Sequence, residues 1–375
     1  MIGEVVRELV RELDLEIVEQ DLGNPCLSSN SYRPHALSGL NFKEIKKTDC
    51  ERRLAFIDGG NQELVGAPNF SIQLNRVYFN IFEKRKIVQP TTLANRIEFF
   101  SFTVAKFKHE QIFYDTTLFP SEPELAGLLP NSADLSFDST DRRLMAGNTR
   151  ADIARVASIA RRFAEWHYAR RAVERELESD DVLVMDGTLR TTFLKESNYA
   201  NAAFSIAKDK GVVYTGLSKT SRLFTTTGLS LLGAVRKLAM DNQIGSMWYY
   251  YPVAESLTPE HQGAIFLVKL SDQSQRVFRF EIQAEQAKGL EQTDRLNEIF
   301  SELALNSSDL SFPGYPYGLV DADDNARVRF EELETYRVML LSEISKLGSA
   351  AKFVRHMEAI DAHIALNSLK EVSYA

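Results

Sequence analysis

The run VLVMDGTLR, residues 182–190, constrains the fold more than any other stretch of the chain. Four apolar residues, Val182 to Met185, lead directly into Asp186 and Gly187. A short apolar run that ends in a turn signal is typical of a strand buried on both faces of a sheet. The pattern therefore predicts a buried strand with the carboxylate of Asp186 at its end.

The same pattern occurs earlier as LAFIDGG, where Leu54 to Ile57 lead into Asp58, Gly59 and Gly60. Two buried strands that each end in Asp-Gly can bring two carboxylates to one edge of a sheet, because glycine lets the backbone turn sharply. This arrangement would suit a metal ion. The alternative is that each Asp-Gly is only a turn, since this dipeptide is a common turn former. The repetition weakens that alternative and leaves both interpretations open.

The composition is that of an ordinary globular protein, with 375 residues, 44% hydrophobic and 26% charged. The two cysteines form no C-x-x-C pair, which favours a reduced intracellular compartment. Residues 1–20 mix charged and apolar residues at helical spacing and lack the apolar core of a signal peptide. No apolar run approaches the roughly 18 residues of a membrane span. We therefore expect a cytoplasmic protein that does not enter a membrane.

Charge is distributed unevenly along the chain. The net charge is −8, which argues weakly against a general nucleic-acid coat protein. Residues 142–175, however, contain nine arginines and three carboxylates, a local net charge of +6. This stretch could bind a partner that carries phosphates.

A long helix is predicted from about residue 147 to 178, because apolar residues recur there at intervals of three and four. Glu165 lies on a different side of this helix, with small residues and two arginines as neighbours. One interpretation is that Glu165 approaches the sheet edge. The alternative, favoured by the residues alone, is a pair with Arg161 or Arg162 on a solvated face.

Other segments follow from periodicity and turn residues. Alternation and aromatic residues predict strands within 70–88 and 97–114. Proline and serine predict a loop or connecting segment at 21–50, and proline, serine and aspartate predict an exposed loop at 119–141. A strand at 212–217 leads into Lys219, and a P-loop is rejected there because Leu217 and Ser218 separate Gly216 from the lysine.

Two segments near the C-terminal half have less decisive patterns. The aromatic cluster at 247–252, which includes Tyr250, could stack on nucleic-acid bases but is more often core. Residues 312–328 contain several aspartates whose spacing does not match an EF-hand, so they are interpreted as a turn that feeds a helix. An amphipathic helix is expected at 347–369, with His363 and Asp361 beside its apolar face.

The order of these motifs resembles the NurA nuclease family over about residues 50–366. The family pattern consists of a strand ending in Asp-Gly, a helix with R-x-x-x-E, a strand ending in D-G-T-L, a G-L-S-K-T segment, Y-P-Y-x-L-x-x-A-D, and a histidine on the last helix. In this chain these are Asp58-Gly59, Arg161 with Glu165, Asp186 to Leu189, Gly216 to Thr220, Tyr315 to Asp323, and His363. The first motif has D-G-G where D-G-S is commoner, and Y-P-Y-G-L differs from the usual proline-rich form. Neither difference removes a carboxylate.

The resemblance implies an α/β protein with an RNase H-like mixed central β-sheet flanked by helices, with an N-terminal helix and helical insertions. Residues 1–45 would form the N-terminal helix and connecting segment, and residues 46–375 the nuclease domain. Carboxylates from two strands and a helix would meet above the sheet edge.

The resemblance also implies a manganese-dependent deoxyribonuclease, with Mg²⁺ as a possible substitute. Its catalytic residues and metal ligands would be Asp58, Glu165, Asp186 and His363. Glu174 competes with Glu165, and Asp361 with His363; the arginine four residues before Glu165 favours Glu165. Carboxylate and imidazole donors suit Mn²⁺, and such carboxylates without a cation would repel one another and raise their pKa values.

The family's partners follow from the same resemblance. We expect a homodimer that degrades DNA in end resection or a related defence system, together with a hexameric HerA-type ATPase, which would explain the missing P-loop. DNA contacts are expected from Lys219, Arg161, Arg162 and Tyr250, in a dimer groove lined by the arginines of residues 142–175. The alternative is a catalytically silent scaffold that caps the ATPase ring.

Overall fold

The computed structural model describes residues 2–27, 31–48, 52–348, 350–353 and 355–357. The strands are β1 Pro25–Cys26, β2 Tyr32–Pro34, β3 Phe42–Glu44, β4 Arg53–Ala67, β5 Phe70–Glu83, β6 Lys86–Val88, β7 Arg96–Lys108, β8 Gln111–Pro120, β9 Ser136–Asp138, β10 Val182–Asp186, β11 Val213–Ser218, β12 Phe224–Thr225, β13 Trp248–Tyr250, β14 Ala254–Ser256, β15 Gly263–Lys269 and β16 Phe278–Gln283. The helices are α1 Ile2–Glu16, α2 Ile153–Ala157, α3 Ile159–Glu176, α4 Glu196–Lys210, α5 Leu231–Asp241, α6 Ala284–Gln292, α7 Leu296–Asn306, α8 Tyr317–Ala326 and α9 Phe330–Ser345.

One large mixed sheet organises the chain. Its strands lie in the order β3-β13-β15-β16-β11-β10-β4-β5-β7-β8-β9, and β6 pairs with β5. In its centre β4, β5 and β7 form an antiparallel meander, while β10 and β11 run parallel to β4. Helices flank both faces, so the predicted α/β class and RNase H-like mixed sheet are confirmed.

The central strands are apolar on both faces because each face packs a helical layer. Ala55, Ile57, Leu183 and Met185 belong to a core that includes Phe163 of α3. The residues between them, Leu54, Phe56, Val182 and Val184, belong to a second core that includes Ile299 of α7 and Leu319 of α8. Successive side chains of a strand point to opposite faces, so the continuous apolar runs follow directly from this burial.

Several predicted boundaries are wrong. The strand that contains Asp58 does not end there, because β4 continues to Ala67 as it pairs with β5. Residues 119–141 are not an exposed loop, since they contain two short 3₁₀ helices and β9, and Leu135 and Phe137 are buried. Residues 21–50 likewise contribute three short strands, among them β3 at the edge of the large sheet.

The predicted N-terminal helix is present as α1, and none of its residues is buried. Its apolar side chains, including Leu9 and Leu13, are exposed. Across the part of the chain that the structure describes, no helix combines the length and apolar character that crossing a membrane requires.

Candidate metal centre

The parallel pairing of β10 with β4 brings two carboxylates side by side. The ladder pairs Met185 with Ile57, so Asp186 and Asp58 follow at the same level on neighbouring strands. Because successive side chains of a strand alternate between its two faces, both aspartates point to the face of the sheet that packs against α7 and α8. Asp186 ends β10, and Gly187 then adopts a φ of +115°, a conformation that glycine accommodates without strain.

A third carboxylate, Asp323, comes from α8, which packs closely on β4 and β5. The ring of Phe56 lies so close to Gly318 that a Cβ atom at residue 318 would come under 3.0 Å from the ring. A Cβ atom at Gly60 would likewise come under 3.0 Å from the carbonyl oxygen of Ala326. Asn80 of β5 donates a hydrogen bond to the carbonyl of Gly318 at 2.8 Å. The two glycines therefore let α8 lie close enough to bring Asp323 to the strand carboxylates.

Asp58, Asp186 and Asp323 form a cluster of potential cation ligands. One oxygen of each carboxylate lies within 4.8 Å of the others. The ammonium of Lys219, just after β11, is 2.6 Å from Asp186, 2.5 Å from Asp323 and 3.4 Å from Asp58. A positive charge of the protein itself therefore lies among these oxygens and compensates part of their negative charge.

The electrostatics of the cluster reflect burial and like charge. Asp58 is only 9% exposed, and burial together with the nearby Asp186 raises its pKa to about 7, although Lys219 opposes the shift. Burial disfavours the charged form of Lys219, but Asp186 and Asp58 outweigh it and raise the pKa of Lys219 above its usual value. Asp323 is also partly buried, yet hydrogen bonds from Lys219 and Arg327 lower its pKa. A bound divalent cation would relieve the repulsion between Asp58 and Asp186.

Glu165 of α3 lies beside this cluster, outside the group of three. It is 8% exposed and forms an ion pair with Arg161. Burial raises the pKa of Glu165 to about 7; Arg161 opposes this shift and Asp58 adds to it. Arg161 also donates hydrogen bonds to Asn61 at 3.0 Å and to the carbonyl of Gly59 at 3.1 Å. The pair with Arg161 is as expected, but its placement on a solvated face is wrong.

Gly59 explains how Glu165 comes so near to Asp58. A Cβ atom at residue 59 would come under 3.0 Å from Oε1 of Glu165. Because Gly59 follows Asp58 on the strand, its missing side chain would point to the opposite face of the sheet. Glu165 therefore covers the backbone of β4 from the α3 side, whereas the three aspartates lie on the α8 side.

Tyr315, which precedes α8, is a further residue near the carboxylates. Its ring is buried, and its hydroxyl has no hydrogen-bond partner among the described residues. Burial and the charges of Asp186, Asp58 and Asp323 raise the pKa of the Tyr315 hydroxyl. The neutral hydroxyl is thus a potential hydrogen-bond donor next to the carboxylate cluster.

The residues predicted to contact DNA have different surroundings. Lys219 lies in the carboxylate cluster, and Arg161 bonds to Glu165. Arg162 forms an ion pair with Glu196 and donates to the carbonyl of Arg190. The prediction for Tyr250 is wrong, because its ring is 0% exposed and its hydroxyl accepts hydrogen bonds from the backbone nitrogen of Ser38 and from the side chain of Asn41.

Of the remaining ligand candidates, only Glu174 lies within the described residues. Glu174 forms an ion pair with Arg171 at 2.8 Å, on the same helix. His363 and Asp361 both lie outside the described residues. The residue that the sequence analysis missed is Asp323: it ended the Y-P-Y-x-L-x-x-A-D motif, and that position was its only signal.

The NurA domain matches residues 52–328 of the chain. The chain belongs to the NurA family. This NurA domain contains all three clustered aspartates, as well as Glu165 and Lys219. A comparison with curated protein sequences found no significant match.

Three solved structures are similar to this NurA-family chain. The NurA nuclease from Sulfolobus solfataricus is 15% identical, with a TM-score of 0.49, over 92% of this chain and 95% of its own. Endonuclease V from Ciona intestinalis, in complex with a 24mer DNA containing an inosine followed by a ribo-adenosine, is 9% identical, with a TM-score of 0.34, over 76% of this chain and 87% of its own. Argonaute from A. aeolicus is 9% identical, with a TM-score of 0.28, over 75% of this chain and 29% of its own.

Gly59→Ala should destabilise the protein, because the added methyl group would collide with Glu165. We expect a loss of about 1–3 kcal/mol in the free energy of unfolding, the usual cost of overpacking. Chemical denaturation measures this change. Gly289→Ala is the matched control, since nothing lies within 4 Å of a Cβ atom at that helical position. Equal stability of the two variants would contradict the close packing of Glu165 on Gly59.

The cluster also predicts how stability depends on pH in the absence of divalent cations. Folding raises the pKa of Asp58 from its ordinary value of about 4 to about 7. The folded state then binds this proton more tightly than the unfolded state does. The stabilisation that the proton provides is fully present below about pH 4 and is lost as the pH rises through about 7. One such group changes the free energy of unfolding by up to about 1.4 kcal/mol per pH unit.

Denaturation of the wild type in EDTA between pH 4 and 8 should therefore show falling stability. Asp58→Asn should have a shallower slope, because that group no longer titrates, while Glu165 continues to contribute. Parallel slopes for the two proteins would contradict the raised pKa of Asp58.

Proposed function

We propose that this NurA-family chain is a divalent-metal-dependent deoxyribonuclease, with Asp58, Asp186 and Asp323 as its cation ligands. The observation that carries the proposal is the convergence of these three carboxylates within 4.8 Å. Carboxylate oxygens suit Mn²⁺ and Mg²⁺, and Mn²⁺ would also accept a nitrogen ligand. Glu165 is proposed as a further site residue and His363 as a further ligand, both from the family resemblance.

The donor set fits a divalent cation better than it fits Lys219 alone. Three carboxylates carry three negative charges when ionised, whereas Lys219 and Arg327, which pairs with Asp323, supply two positive charges. Burial is the main cause of the raised pKa of Asp58, and the like charge of Asp186 adds to it. A divalent cation would provide a larger positive charge and would keep Asp58 ionised.

A bound cation of this kind lowers the pKa of water and stabilises charge on the phosphate and the leaving oxygen. The protein's own residues would contribute charge and hydrogen-bond donors. Glu165 lies on the α3 side of β4, separated from the aspartates by the backbone at Gly59, so its carboxylate would act on the site through its charge rather than by accepting a proton from water. Lys219 would donate to a phosphate oxygen once its carboxylate partners bind the cation. The Tyr315 hydroxyl is a second donor, and it is uncharged.

DNA as the substrate and the remaining partners rest on the family resemblance. The homodimer, the HerA-type ATPase and the role in end resection or defence remain predictions. A P-loop pattern does not occur in the sequence, which agrees with a protein that depends on another chain for ATP hydrolysis.

Asp186→Asn should abolish cleavage and weaken cation binding, because it removes a charge from the centre of the cluster. We expect cleavage of single- and double-stranded DNA with Mn²⁺ to fall at least about a hundredfold, which corresponds to roughly 2.7 kcal/mol of transition-state stabilisation. Calorimetric titration with Mn²⁺ in the absence of DNA should show weaker binding.

Asp209→Asn is the matched control, since Asp209 is an exposed aspartate of α4. It should cleave DNA and bind Mn²⁺ as the wild type does. Equal cleavage by Asp186→Asn and wild type would refute the proposed site. Absence of cleavage in the wild type, even with the ATPase present, would favour the silent scaffold.

Lys219→Met should separate cation affinity from catalysis. Removing the ammonium removes a charge that repels the incoming cation, so at pH 8 we expect Mn²⁺ to bind about tenfold more tightly, a change of roughly 1.4 kcal/mol. DNA cleavage should nevertheless be slower, because a phosphate contact is lost. Lys208→Met, at a lysine whose side chain is 70% exposed and pairs with Glu285, is the control. Unchanged or weaker Mn²⁺ binding by Lys219→Met would contradict competition between Lys219 and the cation.

A further inference from the structure

A buried carboxylate, Glu281 of β16, lies close to the strand end that carries Asp186 but on the other face of the sheet. Its side chain is 0% exposed. Its neighbours on the strand, Phe280 and Ile282, belong to the core that includes α7 and α8, so Glu281 points to the opposite face. Asp186 points to the face of α7 and α8. Glu281 is therefore not placed to share a cation with the three aspartates.

The chain crosses from one face to the other directly after Asp186. Residues 187–191, which we call the exit segment, lie on Gly216 of β11. A Cβ atom at residue 216 would come under 3.0 Å from the carbonyl oxygen of Gly187. Gly216 pairs with Glu281 in the ladder between β11 and β16. The missing side chain at residue 216 thus lets the exit segment pass over β11 and reach Glu281.

Glu281 holds the exit segment through a backbone hydrogen bond. Its Oε2 accepts the N–H of Leu189 at 2.7 Å. Leu189 is 1% exposed, so no water is at hand to replace this acceptor. A second anchor, from the backbone nitrogen of Thr191 to the carbonyl of Glu260 at 2.7 Å, follows two residues later. Because Leu189 is only three residues beyond Asp186, a shift at Leu189 would be passed to the end of β10.

Three further side chains fix the Glu281 carboxylate itself. Burial raises the pKa of Glu281, but Arg279 and His261 outweigh burial and lower that pKa to about 2. Nε of Arg279 donates to Oε1 at 2.7 Å, and Nε2 of His261 lies 2.9 Å from Oε2. An ionised carboxylate only accepts, so Nε2 carries a proton. Nδ1 of the same ring lies 2.9 Å from the hydroxyl of Tyr32. These contacts hold the carboxylate in one orientation.

We propose that Glu281 is a positioning residue of the candidate metal centre. Through Leu189 it fixes the exit segment, and the exit segment in turn fixes the direction of the Asp186 carboxylate. A cation binds more tightly when its ligands are already in place, and loss of a residue that orients a ligand weakens metal binding about 10- to 100-fold. The inference rests on the proposed metal-dependent nuclease function.

Calorimetric titration of Glu281→Ala and Glu281→Gln with Mn²⁺ tests this role. Both variants lose the negative charge, but only glutamine keeps an oxygen that can accept the N–H of Leu189. Glu281→Ala should bind Mn²⁺ at least about tenfold more weakly, and half-maximal DNA cleavage should need a correspondingly higher Mn²⁺ concentration. Glu281→Gln should bind Mn²⁺ nearly as the wild type does.

Two results would overturn the inference. Wild-type affinity in Glu281→Ala would show that the exit segment does not govern Asp186. Equally weak binding by Glu281→Ala and Glu281→Gln would show an effect of charge rather than of position. Circular dichroism at the temperature of the titration establishes that each variant is folded.

Glu176→Ala is the matched control for a purely structural loss. Glu176 is also buried and accepts backbone hydrogen bonds, from Thr91 at 2.8 Å and Thr92 at 2.7 Å. It ends α3, about 16 Å along the helix from Glu165. This variant should be less stable than the wild type in chemical denaturation and should bind Mn²⁺ with unchanged affinity.

Gly216→Ala moves the exit segment without changing any charge, and it serves as the test if Glu281→Ala does not fold. The added methyl group would push the carbonyl of Gly187 away from β11, so Mn²⁺ binding should weaken here too, and wild-type affinity would overturn the inference. Absence of Mn²⁺ binding in the wild type would refute the metal centre and this role together. Mn²⁺ binding without DNA cleavage would refute the nuclease function alone, since calorimetry still compares the variants.

Discussion

The site depends on the parallel ladder between β4 and β10. Hydrogen bonds along this ladder fix Ile57 opposite Met185, and the next residue on each strand is an aspartate. The backbone therefore holds two like charges together at the border of the core, where burial makes their repulsion stronger than in water. Strand pairing and the two apolar layers must offset this repulsion. The compensating charge of Lys219 comes from the end of β11, the strand next to β10.

The sheet separates the charged groups into two sets that still influence one another. Asp58, Asp186 and Asp323 lie on the α8 side, together with Lys219, whereas Glu165 and Arg161 lie on the α3 side. At Gly59 only the backbone of β4 separates Glu165 from the opposite face of the sheet, because glycine has no side chain to fill the space. This explains why Asp58 raises the pKa of Glu165 although the two residues belong to opposite faces. An ion held by the aspartates would therefore also alter the charge that Glu165 experiences.

The sequence was most informative where local pattern and burial coincide. Apolar runs before Asp58 and Asp186 predicted their strands, since strands buried on both faces have no polar alternation. The same pattern could not show that β4 continues beyond Asp58, because that extension depends on pairing with β5. Asp323 was missed because helix docking through Gly60 and Gly318 is a tertiary property. Tyr250 was misassigned because an aromatic cluster has the same composition in a core as on a binding surface.

The arginines of residues 142–175 show why net charge along a sequence does not define a surface. Arg161 and Arg162 point inward to Glu165 and Glu196, so their charges stabilise buried carboxylates. Arg171 pairs with Glu174 on the same helix, and no described carboxylate forms an ion pair with Arg170 or Arg175. Charge counted along this stretch therefore overstates the positive charge that it offers to an external partner, because part of that charge compensates carboxylates within the protein.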